Sequence, residues 1–175
     1  YLKKYPDAYA SLFKRGDLFL PISDFWREKL LSLGAPAEKT LVHRMGVDTT
    51  RFTAIQRVRV GDEPVRFIGV GRMVEKKGFD DAIRAFASLR KEHEFPNATL
   101  TLIGDGELRD YLKNFAISLN LGSVVKFTGL LPHAVVAREL AAAHVFVLPS
   151  KTAASGDMEG IPVALMEAMA QGMPV

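Results

Sequence analysis

From residue 65 onward, short apolar runs alternate with longer stretches in which apolar side chains recur every three or four positions. The runs at 65–71 (VRFIGVG), 98–104 (ATLTLIG), 124–129 (VVKFTG) and 144–150 (HVFVLPS) predict buried strands. Between them, Ala82, Ile83, Phe86 and Leu89 predict a helix over 79–91, with Asp80 and Asp81 at its positive N-terminal end. Leu108, Tyr111, Leu112, Phe115 and Leu119 share one face of a second helix over 107–119. A third helix is expected over 134–142 and a fourth from about Pro162. Nearly continuous apolar strands suit a sheet covered on both faces. Their alternation with helices predicts an α/β fold: a Rossmann-like, doubly wound parallel sheet with helices on both faces. Gly172–Val175 reads as the start of a further strand, so the chain is expected to be a fragment; it also begins without Met.

The pattern is weaker before residue 65. Asp17–Pro21 and Thr40–His43 are expected as short strands. Between them a helix over 24–33 is capped by Ser23 and closed by Gly34. Phe25, Leu30 and Leu33 are expected on its apolar face, at imperfect spacing. Gly46–Pro64 reads as a boundary or linker.

Composition narrows the classes. A chain that is 48% hydrophobic and 25% charged is not disordered. It contains no cysteine, which removes disulfides and thiolate chemistry. A net charge of +3 permits anionic ligands or an acidic membrane surface without requiring nucleic acid. The N-terminal stretch is interrupted by charge, unlike a signal peptide, and no apolar run reaches the ~18–20 residues of a membrane span. A cytoplasmic setting is expected. Asn97-Ala-Thr99 matches a glycosylation sequon and is read as chance.

Ligands of open parallel sheets bind beyond the carboxyl ends of the strands. Four segments lie there. Gly69–Gly78 carries Gly71, Arg72 and Lys77, and it suits either phosphate recognition or an ordinary solvated turn. It is no dinucleotide fingerprint, because Val74 replaces the third glycine, and no P-loop follows. Ile103–Glu107 reads as a tight strand-to-helix turn. Phe127–Leu131, with Gly129 and Leu131, suits a nucleobase edge or a plain loop. The strongest segment is Glu159–Val175. Pro162 suits the first turn of a helix, and Gly160 lets backbone approach a ligand just before it. The amides of that turn favour a phosphate or a set of hydroxyls. Glu167 follows Pro162 by roughly 7.5 Å of helix axis. The two carboxylates, Glu159 and Glu167, are therefore spaced for separate hydroxyl groups, and Glu167 among apolar neighbours implies a ligand or an Arg partner. His43 and Arg44 are expected at a domain junction, and His133 and His144 as ordinary loop and strand-edge residues. No cluster has metal-ligand spacing.

Taken in order, V-G-R-x3-K-K-G, L-I-G-D-G and E-G-x-P-x4-E-A-M-A-x-G-x-P-V resemble the second half of retaining glycosyltransferases of family 4, with the GT-B fold. The stretches GDMEGIPVALMEAMA and VHRMGVDTTRF are similar to the bacterial colanic acid and exopolysaccharide subgroup, including Met45 where many relatives have Asn. The resemblance covers roughly residues 17–175. It implies that residues 1–50 end an acceptor-side domain, 51–63 link, and 64–175 begin a nucleotide-sugar domain. It further implies that Arg72 and Lys77 bind the diphosphate and that Glu167 accepts from the ribose hydroxyls. Glu159, with Gly160, Ile161 and Pro162, would contact donor sugar and phosphate, and Thr128–Leu131 would hold the base. The implied donor is a UDP- or GDP-linked sugar, used without metal or other cofactor. The implied acceptor is a saccharide or a lipid-linked acceptor, the latter bringing peripheral contact with the inner membrane. Rival readings are a non-catalytic nucleotide-sugar-binding module and a phosphorylase or epimerase.

Overall fold

The computed structural model describes residues 7–92 and 95–175. They form two compact units that divide between Gly46 and Val47.

In the first unit, helix α1 (Ala10–Arg15) buries Phe13, whose ring meets Phe19 edge-on at 5.3 Å. The two strands expected here shrink to one parallel bridge, Phe19 to Thr40. The Phe19 amide donates to Lys39 and the Leu41 amide donates back to Phe19. Pro21 has no amide hydrogen with which to continue that ladder. Helix α2 (Asp24–Ser32) starts as expected, with Ser23 Oγ accepting from the Trp26 amide at 3.3 Å. It ends at left-handed Gly34, where the Ala35 amide reaches back to Leu30. Its expected apolar face is only partly covered: no residue of α2 is buried, Leu30 and Leu33 are half-buried, and the exposed Phe25 ring packs edge-on against its neighbour Trp26. Arg44 pairs with Asp24 at 3.2 Å within this unit.

The second unit is a parallel sheet in the order β3-β2-β1-β4. Its strands are β1 (Arg66–Val70), β2 (Thr99–Ile103), β3 (Val125–Gly129) and β4 (Val145–Phe146). Its helices are α3 (Phe79–Lys91), α4 (Arg109–Ser118), α5 (His133–Ala142) and α6 (Val163–Ala170). Strand alternation divides the core in two. Leu100 and Leu102 of β2 join Ile83 and Phe86 of α3 and Leu112 and Ala116 of α4. Ile68 of β1 and Ile103 of β2 join Val136 and Leu140 of α5 and Ala168 of α6. The fold is thus α/β with a buried core on each face of the sheet.

Strand β4 is shorter than the seven-residue run suggests, since Pro149 interrupts it, although the Val147 amide still donates to Ile68. Beside it, the Phe146 amide donates to the carbonyl of Pro174, so 172–175 flanks β4 without forming a strand. The segment read as a linker, 51–63, docks on the second unit over its first part. Phe52 is buried in the second core, and the Ile55 amide donates to Gln171. The Arg57 guanidinium ties together the carbonyls of Leu140, Ala143 and Gln171 at the ends of α5 and α6.

Candidate nucleotide-sugar site

Because the strands are parallel, the loops after β1, β2, β3 and β4 meet at one edge of the sheet. Two glycines make the meeting close. At Gly104 (φ +137°) a Cβ would stand 1.9 Å from the Gly71 carbonyl oxygen. At Gly78 (φ +64°) it would stand 1.9 Å from that of Pro149. The Gly104 amide in turn donates to Gly129 at 2.9 Å, so the Gly71, Gly104 and Gly129 loops form one continuous rim.

The cations expected at Arg72 and Lys77 stand differently. Lys77 ends a 3-10 turn, Glu75–Lys77, and its stem runs over Gly71. Its ammonium closes on Glu159 Oε2, with both side chains less than a fifth exposed. Lys76 lies 3.1 Å from Asp157 and 3.9 Å from the other oxygen of Glu159. Arg72 is exposed and has no ion-pair partner among the described residues.

The loop that carries Glu159 is clipped in place. The Ala154 amide donates to Glu75 Oε1 and the Lys151 amide to the Lys76 carbonyl, both at 2.9 Å. Lys151 Nζ lies 2.8–2.9 Å from carboxylate oxygens of Asp80 and Asp81. The hydrogen bond from Lys151 holds the Asp81 carboxyl below its ordinary range, and the two aspartates raise the Lys151 ammonium above its own.

Helix α6 carries the other carboxylate. Pro162 caps it rather than occupying its first turn; its carbonyl already accepts from the amides of Leu165 and Met166. The amides of Val163 and Ala164 have no acceptor among the described residues, and exposed Gly160 and half-buried Ile161 lead into them. Ala168 packs fully buried into the second core, which draws its neighbour Glu167 in with it, to 5% exposed.

The partner of Glu167 is a histidine and not an arginine. His133 Nε2 lies 3.0 Å from Glu167 Oε1, and Arg51 Nη1 lies 3.1 Å from His133 Nδ1. The Phe52 ring meets the imidazole edge-on at 5.5 Å. His133 opens α5 and is no ordinary loop residue. It escaped the sequence reading because 34 residues separate it from Glu167 and 82 from Arg51. His144 sits at the edge of the sheet, where Nδ1 accepts from the Arg66 amide at 3.0 Å; burial, then the Arg66 charge, lowers its pKa.

At the end of β3, left-handed Gly129 has its carbonyl engaged by the Gly104 amide and the Thr128 hydroxyl. Leu131 is half-buried against the second core, and Leu130 is the side chain presented outward. The candidate residues therefore gather in two polar centres at the same edge of the sheet. One is Lys77–Glu159 with Lys76, the exposed Arg72 lying five residues before Lys77 on the same loop, and the other is Glu167–His133–Arg51. Both draw on α6 and the loop before it. An apolar groove of about 510 Å³ lies elsewhere: Phe67, Ala82, Phe86 and Leu148 line it, and no candidate residue does.

Set against known proteins, residues 51–175 match the family profile described as "Glycosyl transferases group 1". The chain is 46% identical over 174 residues to the putative colanic acid biosynthesis glycosyltransferase WcaL of Escherichia coli K12, covering 99% of this chain and 42% of that protein. It is 43% identical over 177 residues to the amylovoran biosynthesis glycosyltransferase AmsK of Erwinia amylovora, with the same coverage, 99% and 42%. Among solved structures it superposes on Anabaena HepE in complex with UDP-glucose with a TM-score of 0.78 at 21% identity, covering 99% of this chain and 48% of that one. That likeness concerns the fold, which is of the GT-B type.

Proposed function

The chain belongs to the group 1 glycosyl transferases, and from that premise we propose that it binds the donor in a retaining glycosyltransferase of bacterial polysaccharide biosynthesis. The observation that carries the reading is the juxtaposition of Lys77 with Glu159 at the mouth of a parallel sheet, beside unpaired helix amides. The printed names of WcaL and AmsK, both biosynthetic glycosyltransferases of bacterial polysaccharides, support the process. The UDP-glucose held by HepE supports a nucleotide-diphosphate sugar as donor. The proposed acceptor is a saccharide or a lipid-linked molecule. The chain spans 42% of the length of WcaL and of AmsK, so the activity is proposed for the protein with its acceptor-side partner domain, whose tail we assign to residues 1–50.

In this proposal the bond from the anomeric carbon to the β-phosphate oxygen breaks and the acceptor oxygen bonds to that carbon from the same face. The acceptor's proton passes to the departing phosphate, so no protein nucleophile is needed. Charge builds on the β-phosphate as it leaves. In this reading Arg72, Lys77 and the Val163 and Ala164 amides meet that charge as it develops, which lowers the barrier without a metal. Glu159 orients both Lys77 and the sugar hydroxyls, and Glu167 takes the ribose. The reaction is placed in the cytoplasm, at the membrane face when the acceptor is lipid-linked; no described helix is long and apolar enough to cross a membrane.

The test is a product assay on the full-length protein with UDP- and GDP-sugars. UDP or GDP released only when acceptor is present is expected. Tight binding with no turnover would convert the reading to a non-catalytic nucleotide-sugar-binding module.

A further inference from the structure

We infer that His133 is a positioning residue, held by Arg51, that sets the Glu167 carboxylate to grip a vicinal diol of the ligand. The inference rests on the ribose role proposed above for Glu167. An arginine side chain has donors only, so Arg51 Nη1, 3.1 Å from His133 Nδ1, makes that nitrogen an acceptor. The ring proton is then on Nε2, where it points at Glu167 Oε1 at 3.0 Å. The arrangement fixes the tautomer from one side and uses it on the other, as outer partners do for metal-bound histidines.

Two further features favour positioning over simple support of the fold. His133 is half-exposed, with 53% of its side chain accessible, whereas the Glu167 side chain is only 7% accessible. A buried carboxylate with one oxygen satisfied keeps its second oxygen, Oε2, for an incoming donor, and among the described hydrogen bonds Oε2 has no protein partner. Phe52, buried in the second core, fixes the plane of the imidazole by its edge-on contact. The ring therefore has its direction set by a core residue, its tautomer by Arg51, and its proton delivered to the carboxylate.

The experiment compares the affinity of the full-length protein for UDP and GDP with that for their 2′-deoxy counterparts, by calorimetry on each variant. Both ligands are measured on the same sample, so a partly unfolded variant does not alter their ratio. Wild type is expected to prefer the ribonucleotide about tenfold, the worth of one good hydrogen bond to a charged group. His133→Phe retains the ring against Phe52 but loses the donor, and its preference should fall to about twofold or less. His133→Gln can accept from Arg51 and donate to Glu167, and should restore most of the preference. An unchanged tenfold ratio in His133→Phe overturns the inference and leaves the Glu167 assignment standing. A ratio near one already in wild type, shared by Glu167→Ala, overturns the ribose role itself. A loss in His133→Gln as complete as in His133→Phe overturns the assignment of the Nε2 proton.

Discussion

The ammonium of Lys77 rests on Oε2 of Glu159, so the cation expected to meet a phosphate is already neutralised by the carboxylate expected to meet a sugar. Any diphosphate must share Lys77 with that carboxylate. Arg72 carries no such partner among the described residues and offers its full charge.

Replacing Glu159 should therefore separate binding from turnover. Glu159→Gln frees Lys77, so affinity for UDP or GDP alone should rise severalfold while sugar transfer falls at least tenfold. Lys77→Ala should lower both, with turnover reduced at least tenfold. Calorimetry and steady-state kinetics on the full-length protein check the pair. A fall in nucleoside diphosphate affinity in Glu159→Gln would show that the carboxylate assists the phosphates rather than competing with them.

The clip between Lys151 and the two aspartates at the start of α3 holds the loop that carries Glu159. Lys151→Met should leave Asp80 and Asp81 with Arg84 as their remaining cation among the described ion pairs, release the loop from α3, and increase proteolytic cleavage within 150–157. The pairs are partly exposed, so global stability should change by no more than about 1 kcal/mol. The depressed Asp81 pKa contributes stability that is complete above the unfolded value of 3.8 and is lost as pH falls through the folded one. The raised Lys151 pKa contributes stability that is complete below 10.5 and is lost as pH rises through its folded value. Loop protection should thus be flat between about pH 5 and 9. A strong slope within that range would mean other groups hold the loop.

His144 has the opposite dependence from Lys151. Its pKa is lowered, first by burial and then by the Arg66 guanidinium, so the folded state favours the neutral ring. Its contribution is complete above the unfolded value of 6.5 and declines as pH falls through the folded one. His144→Asn keeps an acceptor for the Arg66 amide and removes the titration. Between pH 6.5 and about 5 the thermal midpoint of wild type should drop more steeply than that of the variant. Parallel curves would remove His144 as a source of acid sensitivity.

Gly78 tests the assembly of the rim. Its backbone is left-handed, and a Cβ would meet the Pro149 carbonyl oxygen at 1.9 Å. Gly78→Ala should cost on the order of 2–4 kcal/mol, combining the left-handed penalty with displacement of the loop after β4. Denaturant unfolding measures it. A loss under about 0.5 kcal/mol would show that this loop yields without cost.

Local periodicity makes the element types legible because spacings of two and of three to four residues follow from backbone geometry alone. It therefore found the four strands and four helices of the second unit, and the Ser23 cap, which needs only a hydroxyl three residues from an amide. It overstated Asp17–Pro21 and Thr40–His43, where apolar residues are present but a single bridge forms; Pro21 lacks the amide for the next rung, and only its carbonyl, accepting from the His43 amide, carries the pairing on. It also assigned an apolar face to α2, where Leu30 and Leu33 are half-buried but Phe25 stays exposed. The glycines, cations and carboxylates of the rim were visible as spaced motifs, since each belongs to a single strand-to-helix loop.

What the amino-acid sequence determined by itself was the alternation of elements and the chemical groups available at the sheet's edge. Which of those groups touch was a tertiary decision: Lys77 with Glu159, Glu167 with His133, and His133 with Arg51. The physical reason is range. Hydrophobic spacing acts within a turn or a pleat, whereas these pairs span 34 to 82 residues of chain and meet only after the strand order and both cores have packed.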